Sequence, residues 1–404
     1  MSSVAVAQGR IAQLAQATPV HRAFHWLHLH QLQLKRWQME MTAIPAPPFG
    51  EDARARWFLE RFRDLGLAHV HRDEAGNALA ELPGTKGDSA PYVLVSAHLD
   101  TVFPAGTECT PVEAEDRLLA PGICDNAAGL TGLLGLAAAL QFARIEPPVT
   151  ILFAANVGEE GEGDLRGMRY LFERSPYRRR IAAAIALEGG GTNAVVTRAL
   201  GSRRYRITII GPGGHAWADA GVTNPIITLS RLLAAFDEIP LPAEPRTTLN
   251  IGVVSGGTSI NSIPESASAL VDLRSTSPAQ LMSTEARMRS LCAETAVQLD
   301  EDAQIKLDLI GYRPAAALPD DAPLLETIRA VDRHLGIRTE PRIGSTDANL
   351  PLSLGVPAVA VGSGGSGGGI HTLQEWYEPH GREMALRRIL LALLDTASVA
   401  GAAS

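Results

Sequence analysis

From residue 92 onward the chain alternates between two kinds of apolar pattern. "YVLVSAHL" is a near-continuous apolar run, as expected of a strand buried on both faces. "DNAAGLTGLLGLAAALQF" follows with helical spacing, Asp125 at its start and Leu130, Leu133, Leu134, Ala137 and Leu140 in one stripe. Gly129, Gly132 and Gly135 lower helix propensity there, so close packing against a sheet is their expected reason. "VTILFAANV" and "IAAAIALEG" read as two more buried strands, with a helix in "LRGMRYLFERS" between them. Such alternation predicts an α/β fold with a mostly parallel sheet flanked by helices. Ahead of it, residues 1 to about 45 read as helical until the prolines of "AIPAPP" stop the pattern.

Residues 200 to about 312 break the rhythm. "RRYRITIIG" is a strand and "NPIITLSRLLAAFDEI" a helix; "TTLNIGVVSGG" and "ASALVDLRS" are strands; "AQLMSTEARMRSLCAETAVQL" is a helix and "AQIKLDLIGY" a last strand. The order βαββαβ predicts a compact inserted α+β domain of ferredoxin-like type. The larger α/β domain is therefore discontinuous, with parts at 1–199 and 313–404 around an insertion at 200–312. It resumes with the helix "DAPLLETIRAVDRHLG", the turn "GSTDAN" and the strand "PAVAVGSG".

Composition agrees with two domains, because 404 residues exceed one ordinary core. A net charge of −8 argues against a general nucleic-acid or anionic-membrane binder. Cys109, Cys124 and Cys292 form neither a disulfide framework nor a Cys-ligated zinc pattern, which fits a reducing cytoplasm. The N-terminus lacks a basic head followed by an unbroken apolar core, so no signal peptide is expected, and no apolar run is long enough to span a bilayer.

The candidate chemistry lies where the apolar runs end. "NVGEEGEGDL" releases Glu159, Glu160, Glu162 and Asp164 directly after a strand. Alone, such a run is a solvated loop; as a metal site it needs ligands from elsewhere. They are present. In α/β sheets functional groups gather at the carboxyl ends of strands. His98 and Asp100 end the first strand, two residues apart on one face; Asp125 opens the next helix, Glu188 ends "IAAAIAL", and His371 follows the Gly-rich loop. Imidazoles and carboxylates without thiolate suit zinc, or manganese or cobalt in its place. Neighbouring Glu159 and Glu160 point apart on extended backbone, so one can bind metal while the other carries a proton; the residues alone leave the two roles open. Glu162 and Asp164 read as solvated loop acids. His21, His25, His28 and His30 are scattered on an amphipathic helix with no acid nearby and are not read as ligands.

"SAHLDTV", "GICDNAAG", "NVGEEGEG", "ALEGGG" and "GGIHTLQEW" together resemble the di-zinc hydrolase family of peptidase T, carboxypeptidase G, aminoacylase and succinyl-diaminopimelate desuccinylase, over roughly residues 40–400. The resemblance implies two divalent ions per chain, zinc first. His98, Asp125 and Glu188 would hold one, and Asp125, Glu160 and His371 the other, with Asp125 bridging. It makes Glu159 the general base and Asp100 the group that orients His98. It also implies that residues 200–312 form a dimerisation or lid domain. His215 of "GPGGHAWAD" would reach the partner subunit's site and donate to the oxyanion. Asn261 of "GGTSINSIPE" and Arg274 of "VDLRS" match positions that contact the substrate's polar ends, although Arg274 on an alternating strand equally suits a structural ion pair. Asp347 of "GSTDAN" would support the site or face substrate.

The implied activity is hydrolysis of amide bonds in small peptides, by a di- or tripeptidase or aminopeptidase like peptidase T. The alternative on the same site is deacylation of N-acyl amino acids. Family members vary between Asp and Glu at the position of Glu188, and many carry lysine at that of Asn126, so neither residue settles the substrate.

A rival from another class rests on Gly362, Gly364 and Gly367, in dinucleotide-binding G-x-G-x-x-G spacing. That fingerprint should open a helix, whereas "IHTLQEWYEP" follows, so the glycines read instead as a flexible loop near metal and substrate. A metal-free relative used only for binding is disfavoured by the complete ligand set and Glu159.

Overall fold

The computed structural model describes residues 3–403. The chain divides into two compact units, one running to Arg198 and resuming at Ala317, the other spanning Ala199–Ala316.

In the first unit, the apolar run at residue 92 forms the strand Tyr92–His98, buried at every position. It lies between Thr150–Asn156 and Ile181–Leu187, parallel to both, and Ala358–Val361 extends the parallel set beyond Ile181–Leu187. Antiparallel strands flank this centre. Ala78–Leu82 pairs with Thr150–Asn156 on one side, with Ala68–Arg72 outside it, and Ala194–Ala199 pairs with Ala358–Val361 on the other. The sheet is therefore mixed rather than mostly parallel. The central strands are covered on both faces and carry the long apolar runs; of the flanking strands Ala78–Leu82 is also buried throughout, whereas "AHVHR" and "AVVTRA" are short and partly exposed, and their pattern is weak.

The helix after the first strand spans Ala127–Ala143, and its first turn is capped by Asn126, whose Oδ1 accepts from Gly129 N at 3.2 Å. Asp125 lies one residue outside the cap, so its carboxylate is available to the site. The helix is also buried almost all round, where one stripe was expected, because the helices Thr18–Leu29 and Gln31–Thr42 pack against it. Two of its glycines meet a close approach on the sheet side, a Cβ on Gly129 lying 2.6 Å from the Leu187 carbonyl and one on Gly132 2.9 Å from Ser363 Cβ, whereas Gly135 faces Leu34 of the helix Gln31–Thr42.

The N-terminal helical region is interrupted, its helices covering Ser3–Ala15, Thr18–Leu29 and Gln31–Thr42. Two of its histidines have partners: His28 does meet an acid, its Nδ1 lying 2.9 Å from a Glu383 carboxylate oxygen, and His30 stacks on Trp26. The Gly-rich segment is not a loose loop. Ser366–Gly368 is a strand paired with Trp376–Glu378, in a small sheet that includes Arg117–Leu119.

The second unit follows the chain order strand Gly201–Ile210, helix Pro225–Asp237, strands Thr247–Gly256 and Ser266–Ser275, helix Pro278–Ala296, strand Gln304–Arg313. Its sheet is antiparallel, ordered Thr247–Gly256, Ser266–Ser275, Gly201–Ile210, Gln304–Arg313. Tyr205, Ile207 and Ile209, with Ala267, Ala269, Val271 and Leu273, alternate along two neighbouring strands and share one core with Leu229, Leu232 and Phe236 and with Leu281, Met288 and Leu291 of the two helices. No helix among the described residues is long and apolar enough to cross a membrane.

Candidate metal centre

Because the central strands are parallel, their carboxyl ends deliver side chains to one edge of the sheet. His98 ends its strand fully buried, and its Nδ1 lies 3.0 Å from the Asp100 main-chain carbonyl. Donation from Nδ1 to that carbonyl leaves the Nε2 lone pair facing the site. There Nε2 lies 3.2 Å from Asp125 Oδ1 and 3.3 Å from Glu188 Oε1. On the far side of Asp125, Oδ2 lies 3.1 Å from His371 Nε2, which is also 3.1 Å from Glu160 Oε1. Asp125 thus presents one oxygen to each imidazole.

Asp100 lies beside His98, its carboxylate 3.6 Å from Nδ1, and that carboxylate also accepts from the backbone N–H groups of Glu159 at 3.0 Å and Glu160 at 2.7 Å. Its main chain orients His98 while its side chain fixes the turn that bears both glutamates.

Among the described residues, three overlapping groups bring ligand atoms within 4.8 Å of one another: His98–Asp125–Glu188, Asp125–Glu160–His371 and His98–Glu159–Glu160. These donors fit divalent cations. Two imidazoles face four carboxylates, an excess of buried negative charge that needs compensation. Asp125 Oδ1 is sealed from solvent without a hydrogen-bonded partner in the protein. Such an acceptor suits a metal ligand.

The titration of the metal-free site reflects the same crowding. Burial works to raise Asp125, but contacts with His371 and His98 outweigh it and hold the carboxylate below its usual range. Burial pushes Glu188 up to about 7. Asp125 and Glu160 raise His371 to about 10, and Glu188, Asp100 and Asp125 overcome burial to raise His98. A divalent ion and a proton compete for the same imidazole nitrogens. Apparent affinity is expected to strengthen with pH, by up to about tenfold per pH unit for each proton released, as titration calorimetry near neutrality would read.

The remaining site residues lie elsewhere. Asp347 is buried and its Oδ2 accepts from Asn156 Nδ2 at 2.8 Å, and its charge helps to raise Glu188. His215, Asn261 and Arg274 belong to the second unit. His215 is exposed on a short strand paired with Ser262–Ile263, and its Nδ1 accepts from Trp217 N at 3.1 Å and Ala218 N at 3.3 Å. The Asn261 carbonyl accepts from Ala216 N at 3.0 Å, which ties the two loops together. Arg274 Nε donates to Asp272 Oδ2 at 2.6 Å, the ion pair that an alternating strand allowed.

Two contributors escaped the sequence reading. Asn126 was noted only as a departure. Its Nδ2 donates to the Leu187 carbonyl at 2.9 Å while Oδ1 accepts from Gly129 N and Gly189 N, clamping the helix start to the strand end that carries Glu188. A lysine has no acceptor and makes no such clamp. Glu375 is the second, a buried carboxylate that accepts from the backbone N–H groups of Gly122, Cys124 and Asp125. Its one signal was an acid four residues after His371, within "GGIHTLQEW".

An α/β sheet edge that gathers two imidazoles and four carboxylates around a shared aspartate defines a dinuclear metallohydrolase class of site. Residues 94–395 match the model described as Peptidase family M20/M25/M40, and the chain belongs to that family. Among sequence relatives, the YqjE protein of Bacillus subtilis is 27% identical over 341 residues, 81% of this chain and 88% of its own length. An acetylornithine deacetylase of Myxococcus xanthus is 24% identical over 81% of this chain and 86% of its own. Among solved structures, the aminopeptidase PepT of Bacillus cereus is similar with a TM-score of 0.72 at 23% identity, covering 91% of this chain and 99% of that one. The YXEP protein of Bacillus subtilis, described as a dinuclear metal binding peptidase of the M20 family, gives 0.67 at 16% identity, covering 91% and 98%.

Proposed function

We propose that this enzyme hydrolyses amide bonds of small peptides, as a di- or tripeptidase or aminopeptidase like peptidase T, with two zinc ions and Glu159 as general base. The observation that carries this reading is Asp125, with one oxygen toward His98 and the other toward His371. His98, Asp125 and Glu188 would hold one ion; Asp125, Glu160 and His371 the other. Two bound ions supply a water of lowered pKa and polarise the scissile carbonyl. Glu159, buried beside them, takes the water's proton and passes it to the leaving amine. Asp100 holds the Glu159–Glu160 turn so that one side chain serves metal and the other serves water. Asn261, Arg274 and Asp347 would meet the substrate's polar ends, Arg274 while braced by Asp272.

The aminopeptidase name of one structural neighbour supports peptides, and the acetylornithine deacetylase among the relatives supports N-acyl amino acids as the second reading. A panel of di- and tripeptides and N-acyl amino acids, tested with zinc, cobalt or manganese, separates them. Turnover confined to N-acyl amino acids would replace the peptidase reading with the deacylase one.

The domain reading assigns 1–199 and 313–404 to catalysis and 200–312 to a ferredoxin-like dimerisation or lid domain in a cytoplasmic homodimer. In its support, the sheet-edge strand Thr247–Gly256 exposes Val253 and Val254, an edge suited to a second copy. Buried free cysteines accord with a reducing compartment. Acceptance by His215 Nδ1 puts the neutral ring's proton on Nε2, ready to donate to the developing oxyanion of the partner's site. His215→Ala should cost about 10²–10³ in turnover with metal content unchanged, the range for one preorganised donor. Mixing it with Glu159→Gln chains should restore activity, since one site of each mixed dimer regains both groups. Inactivity in verified mixed dimers would show that His215 serves its own chain or only its turn.

A further inference from the structure

We propose that Glu375 is a positioning residue that clasps the Asp125 loop and the His371 loop into one rigid piece and so builds the second metal position. The inference rests on the dinuclear reading above and assigns a role to a residue outside the ligand set.

Glu375 is 1% exposed, yet it has no cationic partner in its hydrogen bonds. Its Oε1 accepts from Cys124 N and Asp125 N, both at 2.8 Å, and Oε2 accepts from Gly122 N at 3.0 Å. The main chain adds two links: the Glu375 carbonyl accepts from Ala120 N, and its own N–H donates to the Thr372 carbonyl, both at 3.2 Å. Beyond it, Trp376 and Tyr377 pair with Leu119 and Leu118. One residue therefore joins segment 120–125, which ends at Asp125, to segment 372–375, which begins next to His371.

The two metal positions depend unequally on this join. His98 and Glu188 stand at the ends of the strands Tyr92–His98 and Ile181–Leu187, held by the central sheet. His371 stands on a turn rather than a strand, in a left-handed conformation with φ of 64° and its side chain 51% exposed; the bonds of Thr372 to the Gly369 carbonyl shape that turn within its own segment. Release of the clasp lets Asp125 and His371 drift apart. The position they share with Glu160 should suffer most, while the position anchored by His98 and Glu188 keeps two strand-borne ligands.

The test is zinc binding to the full-length protein, stripped and then titrated in zinc buffers, with stoichiometry and affinity read by calorimetry and elemental analysis. Wild type should take two ions. Glu375→Ala should keep one ion near wild-type affinity and bind the other about 10–100-fold more weakly, the usual cost of losing a group that orients a ligand. Glu375→Gln keeps an oxygen for Cys124 and Asp125 but sets an amide N–H₂ against Gly122 N–H, so its loss should be smaller and confined to the same ion. If Glu375→Ala does not fold, the glutamine variant carries the test. Two ions bound at wild-type affinity by either folded variant would overturn the clasp, as would equal weakening of both ions alongside a lowered Tm. No zinc bound by wild type would instead overturn the dinuclear reading itself.

Discussion

Glu159→Gln is expected to bind two metal ions as wild type does and to lose about 10²–10⁴-fold in turnover, the range for a positioned proton carrier. The expectation follows from the placing of the two glutamates. Both are buried and held through their backbone N–H groups by Asp100, but it is Glu160 whose Oε1 faces His371 Nε2. An amide in place of Glu159 keeps the shape and removes the base. The loss should appear in kcat rather than KM, because the amide neither binds nor releases the substrate's ends. Glu160→Gln should do the opposite and lower occupancy first. Elemental analysis beside steady-state kinetics reads both variants. Metal loss in Glu159→Gln with retention in Glu160→Gln would exchange the two roles.

Asp125→Ala should have the broadest effect of any single change. Asp125 is common to the His98–Asp125–Glu188 and Asp125–Glu160–His371 groups, and it offers a separate oxygen to His98 and to His371. Its removal should lower zinc content from two ions to less than one and weaken affinity beyond the 10–100-fold typical of an outer partner. It also strips both imidazoles of a counter-charge, so both should titrate nearer their ordinary values. NMR titration of the metal-free protein would check that independently of activity. Two tightly held ions in Asp125→Ala would rule out the bridge.

What could be read from the chain alone was whatever a buried parallel strand writes into it. "YVLVSAHL" and "IAAAIAL" are largely apolar because both faces are covered, and His98 at the end of the first and Glu188 directly after the second fall at the sheet edge where the site lies. The outer strand Ala68–Arg72 had no comparable signal, since it exposes much of its length, and Ala78–Leu82, though buried, is only five residues long, so the sheet's antiparallel margins are not legible in the sequence. The cap was misplaced by one residue because Asp and Asn are equally good caps; which of them turns inward depends on Leu187 and Gly189, distant in sequence. Glu375 was invisible for a deeper reason. Its partners are backbone N–H groups, which every residue but proline carries, so no side-chain pattern announces them. The Gly-rich segment was misjudged similarly: glycine suggested looseness, but a Cβ at Gly367 would lie 2.4 Å from Cys124 Sγ, and the absence of a side chain there is what lets the strand close over the site.

On the proposed dinuclear mechanism, two metal ions at the Asp125 site make this chain an amide hydrolase. The most direct measurement is peptide turnover by rigorously metal-stripped protein as zinc is returned stepwise. Turnover should be absent at the start, rise with added zinc and level off at two ions per chain, and a chelator should abolish it again. Full turnover in the stripped protein before any metal is added would contradict it.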